Sequence, residues 1–252
     1  MTRSISDIEA VLQKFEEERQ WADAMQLAMK KSFSVMPTSK NVMGSGFMIR
    51  HGNYNYVVTN KHVVDGLASA TPGTPFIVRR FVTDMLDNIS DSRDIEDINT
   101  TLVGKHATYD VAVLQYAETS TFPASRFHGL PYFDFYQSTL SIGQNMFVIG
   151  SGQAHELSVL PGIVANIGSF DSLYPNAIFT TARTQPGNSG GGATALEYNN
   201  TSDIVASIIG ILTWGYSGND YSTDSTGVPG YGLVQPLAIV TQAISDIFAE
   251  GL

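Results

Sequence analysis

A chain of 252 residues, 43% of them hydrophobic, is long enough for one large domain or two small ones with a sizeable core. Its formal net charge of −10 and pI near 4.8 exclude the basic face that nucleic-acid phosphates need, so no nucleic acid is expected as a partner. It has no cysteine, hence no disulfide framework, and no run of about 18 apolar residues that would predict a membrane span.

Residues 1–31 are polar and charged and lack the apolar stretch of a secretory leader, which points to a cytoplasmic chain. They read as a helix bounded at 4–31. Ser6 and Glu9 stand at capping-box spacing. Ile5, Ile8, Leu12, Phe15, Ala22, Met25 and Met29 recur at three- and four-residue steps, with Glu16-Glu17-Glu18-Arg19 on the other side. The expected role is a helix packed on the body of the protein. The alternative is a regulatory or oligomer-forming helix, although Arg19 and Gln26 interrupt any heptad seam.

From Phe33 onward the texture changes to short apolar runs between turns. Residues 46–50 and 55–59 flank His51-Gly52-Asn53, a hairpin signal, and 76–82 predicts a further strand. The acidic stretch 84–97 lacks the glycine of a calcium loop and reads as a solvated insertion. Residues 111–115 form a buried strand, and 119–138, with Pro123 and Pro131, read as a crossover. The second half repeats the pattern, with strands expected at 146–150, 162–167, 177–181, 204–213 and 232–234. Leu237, Val240, Ile244, Ile247 and Phe248 then follow at helical spacing behind Pro236. Periodicity alone therefore supports an all-β chain with terminal helices.

Chemistry concentrates in Thr184-Gln185-Pro186-Gly187-Asn188-Ser189-Gly190-Gly191-Gly192, where one serine stands among glycines with no charged neighbour. Glycine permits positive φ and close backbone approach, so such a turn can hold the Ser189 hydroxyl outward. It can also aim the N–H groups of Gly187 and Ser189 at one point, as an oxyanion hole requires. Upstream, His62 ends the apolar run Tyr56-Val57-Val58-Thr59-Asn60-Lys61-His62, and Asp110 opens Asp110-Val111-Ala112-Val113-Leu114. A serine needs a base within hydrogen-bond reach, and the base needs an orienting acid. His106, close to Asp110 in sequence, is the competitor and is expected at the surface. His51, His128 and His155 lie in turn-like contexts and are expected to be exposed.

The order His62, Asp110, Ser189, together with Gly44-Ser45-Gly46-Phe47, Thr59-Asn60-Lys61-His62-Val63-Val64 and Pro186-Gly187-Asn188-Ser189-Gly190-Gly191, resembles the chymotrypsin-like serine proteases. The wording is most similar to their bacterial HtrA-type branch. Ile209-Gly210-Ile211-Leu212-Thr213-Trp214-Gly215-Tyr216 is similar to the substrate-binding strand of trypsin. This resemblance, covering about residues 42–240, implies one protease domain over 1–252. It would hold two antiparallel six-stranded Greek-key β-barrels, the first over 33–120 and the second over 139–235. A crossover at 121–138 would join them, and a C-terminal helix over 236–250 would follow. It also implies a bacterial source, protein or peptide substrates, and neither cofactor nor metal.

By the same resemblance His62, Asp110 and Ser189 form a catalytic triad, with the oxyanion hole built from the backbone of Gly187, Asn188 and Ser189. The substrate pocket would be lined by Arg183, Thr184, Thr213, Trp214, Gly215 and Gly230. Counting back from Ser189 puts Arg183 at the pocket base, where a buried arginine would require an acid from the substrate or from Asp220 or Asp224. Acidic, medium apolar and basic P1 residues all stay open. Asn188 stands where the digestive enzymes carry an aspartate that pairs with a newly cut amino terminus, so activation by that cut is not expected. No PDZ-like extension is expected after Leu252. The alternatives from other classes are an inactive binding module on the same fold and an esterase.

Overall fold

Strands with one face buried must either pair with further strands or cover their edges, and here they close on themselves. The computed structural model describes residues 5–38, 44–66, 70–81, 95–152, 157–169, 175–199, 201–215 and 232–250. The first six strands are β1 (Ser32–Pro37), β2 (Gly44–His51), β3 (Tyr54–Thr59), β4 (Pro75–Phe81), β5 (Ile95–Lys105) and β6 (Ala112–Tyr116). They form a closed barrel in the order β1-β2-β3-β6-β5-β4. The second six are β7 (Asn145–Gly150), β8 (Ser158–Gly168), β9 (Ala177–Thr180), β10 (Gly192–Tyr198), β11 (Ile204–Gly215) and β12 (Gly232–Pro236). Read from β7, their closed order β7-β8-β9-β12-β11-β10 repeats that of the first barrel. Every pairing between these strands is antiparallel. Four helices complete the described chain: α1 (Ile5–Lys30), α2 (Lys61–Asp65), α3 (Ala124–His128) and α4 (Leu237–Glu250). The all-β expectation with terminal helices and two six-stranded barrels therefore holds.

Each barrel has its own interior. Phe33, Met48, Val57, Phe76, Ile98 and Leu114 fill the first, and Met146, Val148, Ile178, Ile209 and Val234 the second. A third apolar cluster lies between them. Phe47 and Val58 from the first barrel meet Ile149, Ile208 and Ile211 from the second, and α4 adds Val240, Ile244, Ile247 and Phe248. At about 25 cal/mol per Å² of apolar area, such a cluster resists separation of the barrels by itself. The crossover reinforces it. Phe133 N–H donates to the Met48 carbonyl at 2.9 Å, and Tyr136 N–H to the Ile208 carbonyl at 2.9 Å.

Several expectations are corrected. Three strands, β1, β5 and β10, and the short helices α2 and α3 stand beyond those expected. The acidic stretch does not remain an insertion to its end, because Ile95, Glu96 and Asp97 pair with β4. There Arg79 meets Asp97 at 2.6 Å and Arg126 meets Glu96 at 2.7 Å. Residues 84–94 lie outside the described residues. Helix α1 packs only through its second half. Ala24 and Ala28 are buried, whereas Leu12 and Phe15 are 62% and 63% exposed, so the apolar stripe is not covered along its length. The side chains of Ile5, Ser6 and Ile8 lie outside the described residues. Among the described residues, no helix is long and apolar enough to cross a membrane.

His51 is exposed, with its ring stacked on Phe248 at 4.3 Å, and His155 lies outside the described residues. His128 is half-buried rather than exposed. Its Nδ1 accepts the Asn55 N–H at 3.2 Å, and Tyr54, Tyr116 and Phe127 surround its ring. Burial first, and then the Arg50 guanidinium, hold its pKa below the ordinary imidazole value of 6.5. A depressed imidazole pKa adds stability that is present above the unfolded value and is lost as pH falls through the folded one. The melting temperature is therefore expected to fall between about pH 7 and about pH 5, and to fall less in His128→Asn, which keeps an acceptor but does not titrate. Parallel thermal melts across that range check this, and equal slopes for the two proteins would refute it.

Candidate active site

The registry of β3 against β6 brings the first two groups together. Thr59 pairs with Ala112, so the end of β3 lies beside the start of β6. The chain leaves β3 through Asn60 into the single turn of α2, which carries His62, while Asp110 precedes β6. Asp110 Oδ1 accepts the His62 backbone N–H at 2.9 Å, and Oδ2 lies 2.7 Å from His62 Nδ1. A carboxylate oxygen accepts, so the hydrogen of this contact sits on Nδ1. The Asp110 side chain is 13% exposed and that of His62 36%, an arrangement open to a ligand on the histidine side.

Ser189 comes from the other barrel, on the loop between β9 and β10. The loop is fixed at its backbone. Ser45 N–H donates to the Ser189 carbonyl at 2.7 Å, Gly190 N–H to the Leu212 carbonyl at 2.9 Å, and Leu212 N–H to the Gly191 carbonyl at 2.9 Å. Gly190 has φ +85°, and a Cβ there would stand 2.1 Å from the Ser45 carbonyl oxygen. Only glycine fits both demands. The Ser189 hydroxyl donates to the Thr213 carbonyl at a long 3.4 Å. Asn60 Nδ2 donates to the Asp110 carbonyl at 2.8 Å and reaches Thr213 Oγ1 at 3.5 Å. Asn60 thus joins the histidine turn to the strand beside Ser189. The structure gathers His62, Asp110, Ser189 and Thr213 at the seam between the barrels.

Ser45 went unassigned in the sequence, where it was one letter of a motif. It is fully buried in β2 and spans both barrels. Its Oγ donates to the Gly187 carbonyl at 2.7 Å and accepts the Ser151 N–H at 2.8 Å, and its carbonyl accepts the Thr59 hydroxyl at 2.7 Å. The flanking glycines were the available signal, since a serine between glycines in an otherwise apolar strand has to be satisfied by something.

Two pocket assignments change. Asn188 N–H donates to the Gln185 carbonyl at 3.0 Å and is not available to a ligand. Its Oδ1 accepts the Gln185 N–H at 2.9 Å, so the buried amide oxygen closes a local turn. Gly187 and Ser189 are then the neighbouring residues whose N–H groups meet no acceptor among the described residues. Arg183 is exposed, not buried, so the requirement for a matching acid disappears. Thr184 is half-buried, with its methyl 3.0 Å from where a Cβ on Gly232 would stand, and Gly232 pairs with Gly215. Gly230, Asp220 and Asp224 lie outside the described residues, as does the Trp214 side chain.

His106 is not at the surface. Its side chain is only 13% exposed and faces α4, where Nε2 lies 3.2 Å from Asp246 Oδ2. Among the described residues no group of three or more His, Asp or Glu side chains could hold a metal ion.

The trypsin-like peptidase domain family matches residues 44–200 of the chain. Over 149 residues the chain is 30% identical to a "Probable periplasmic serine protease do/HhoA-like" of Haemophilus influenzae, taking in 59% of this chain and 27% of that protein. Over 213 residues it is 24% identical to the "Serine protease Do-like HtrA" of Lactobacillus helveticus, taking in 82% of this chain and 43% of that one. The chain therefore spans under half the length of either relative. A crystal structure of a serine endoprotease from Yersinia pestis superposes with a TM-score of 0.63 at 23% identity, covering 90% of this chain and 66% of that one. At that identity the likeness speaks for the fold.

The serine loop supplies its own test. Gly190→Ala forces a methyl against the Ser45 carbonyl and an alanine into positive φ, an expected loss of about 2–4 kcal/mol. For a chain of this size that is a fall of roughly 5–15 °C in melting temperature. A melt unchanged from the parent would mean that the loop does not lie against β2 as described.

Proposed function

We propose that this chain, which belongs to the trypsin-like peptidase domain family, is a serine endopeptidase that cleaves protein or peptide substrates through Ser189, His62 and Asp110. The observation that carries the reading is the two-point grip of Asp110 on His62, beside a serine loop tied to the same barrel by Ser45. Asp110 keeps the proton on Nδ1, so Nε2 takes the Ser189 proton as Oγ bonds to the scissile carbonyl carbon. The long contact to the Thr213 carbonyl costs little to exchange. The N–H groups of Gly187 and Ser189 receive the oxyanion. His62 then passes its proton to the leaving amine as the C–N bond breaks. Water repeats the cycle on the acyl-enzyme, returning the serine and releasing the acid.

The exposed position of Arg183 favours a medium apolar P1 residue over an acidic one. Thr184, Gly215 and Gly232, which lie together beside the serine loop, are small and bring no charge among the described residues. A positional-scanning peptide library reads this preference directly, and a strict requirement for Asp or Glu at P1 would overturn it.

Stoichiometric labelling of Ser189 by a fluorophosphonate is expected, and Ser189→Ala should keep its melting temperature while kcat falls by roughly 10⁴ to 10⁶. His62→Ala should be nearly as severe, and the double substitution no worse than either. Absence of labelling in the folded protein would favour the inactive binding module. Ester turnover without peptide turnover would favour an esterase.

A further inference from the structure

The segment from His106 to Asp110 belongs to no helix or strand, yet it carries the acid of the proposed triad. Two backbone hydrogen bonds close it, from the His106 N–H to the Val111 carbonyl and from the Val111 N–H to the Tyr109 carbonyl, both at 2.9 Å, and one side chain shapes the turn between them. His106 Nδ1 accepts two backbone N–H groups of the segment, that of Thr108 at 3.1 Å and that of Tyr109 at 2.8 Å. The ring lies flat on Tyr109, with centroids 4.7 Å apart and planes 16° apart. A nitrogen that accepts two N–H groups holds no proton, so the imidazole proton is on Nε2, which donates to Asp246 of α4. Asp246 is held in turn by Gln242 Nε2 at 2.8 Å. Further side-chain ties come from the histidine turn. Lys61 Nζ donates to the Ala107 carbonyl at 2.8 Å, and Asn60 to the Asp110 carbonyl.

We propose that His106 is a positioning residue for the triad: it folds residues 106–110 so that Asp110 presents both carboxylate oxygens to His62, and Asp246 of the C-terminal helix anchors the ring through Nε2. The proposal rests on the peptidase reading above. The N–H groups released when the ring is removed belong to Thr108, which is exposed, and Tyr109, which is half-buried, so water can reach the opened turn. The consequence then falls on the aim of Asp110 more than on the stability of the fold. A displacement of about 1 Å at a group that orients the base costs about 10²-fold in rate.

The two ring nitrogens can be tested apart. Asparagine places an oxygen near the position of Nδ1 and keeps the acceptor for the segment. Glutamine reaches the position of Nε2, keeping a donor for Asp246 but no acceptor for the segment. His106→Gln is expected to lower kcat by about 30- to 100-fold with KM within twofold of the parent. His106→Asn is expected to recover most of that loss. Asp246→Ala should give an intermediate fall, because Nε2 then loses its anchor on α4 while the acceptor at Nδ1 stays.

A second measurement does not depend on turnover. The low-field proton NMR signal of His62 Nδ1–H, bound to Asp110, is expected in the parent and in His106→Asn and broadened or lost in His106→Gln. If the parent cleaves no peptide, the NMR series still decides the positioning role, and the peptidase reading fails separately. A normal kcat and a normal His62 signal in His106→Gln would make His106 a merely structural residue and overturn the proposal. So would equal losses in the Asn and Gln variants, with melting temperatures lowered to match.

Discussion

Two barrels that carry different parts of one site must be locked at the level of individual hydrogen bonds, because apolar packing alone does not set a register of tenths of an ångström. That lock is Ser45. Its four polar bonds reach three places: Ser189 and Gly187 on the serine loop, Ser151 after β7, and Thr59 at the end of the histidine strand. The bonds to Ser151 and Thr59 are buried, and that to Gly187 is part-buried. The net worth of such bonds is about 1 kcal/mol each, but a buried group left without its partner costs about 1–3 kcal/mol. Ser34 extends the lock by donating to Ser151 Oγ at 2.9 Å. A small hydroxyl suits the place because Gly44 and Gly46 leave no room on either side. A Cβ on Gly44 would stand 2.6 Å from Val63, and one on Gly46 2.8 Å from Val57.

The barrel topology decides which loops meet at that lock. Both barrels use the same strand order, and the β3–α2 turn, the segment before β6 and the β9–β10 loop converge on the seam. The two helices at the chain ends then play unequal parts. Helix α4 buries five residues in the cluster between the barrels and sends Asp246 towards the segment that carries Asp110. Helix α1 is anchored by its second half, where Met25 and Met29 pack on that cluster and Trp21 meets Phe147 edge to face at 6.0 Å. Its first half adds nothing to the core among the described residues.

The legible parts of this molecule were those with a local signature. The hairpin at His51-Gly52-Asn53, the terminal helices, and the strands that lead into His62 and out of Asp110 each announce themselves within about ten residues. Strand β5 was obscured because its first residues, Ile95, Glu96 and Asp97, continue an acidic run, although Ile98, Thr100 and Leu102 bury alternately behind them. Strand β10 was obscured by its opening glycine and by Ala193 and Ala195, small residues whose strand state comes from pairing with β7 and β11. Partners distant in sequence were not legible at all. Ser45 to Gly187 spans 142 positions and His106 to Asp246 spans 140, and no periodicity encodes either. Arg183 erred in the same way: a count along the chain gives its place in order, not the direction in which the loop turns its side chain.

The histidines make the point in chemical terms. His62 has a motif around it, but the neighbours of His106 and His128 in sequence do not tell what either ring does. Their partners separate them. At His62 a carboxylate holds Nδ1, so the proton sits there, which suits the ring to the base role proposed for it. At His106 two backbone N–H groups occupy Nδ1, which forces the proton to Nε2 and removes the ring from proton transfer in favour of shaping a loop. At His128 Nδ1 accepts a single N–H in a half-buried aromatic setting beside Arg50, which disfavours the charged form. The tautomer of each imidazole is thus dictated by which group reaches Nδ1 first, an acid or an amide. That choice, made by topology, separates a base from a brace.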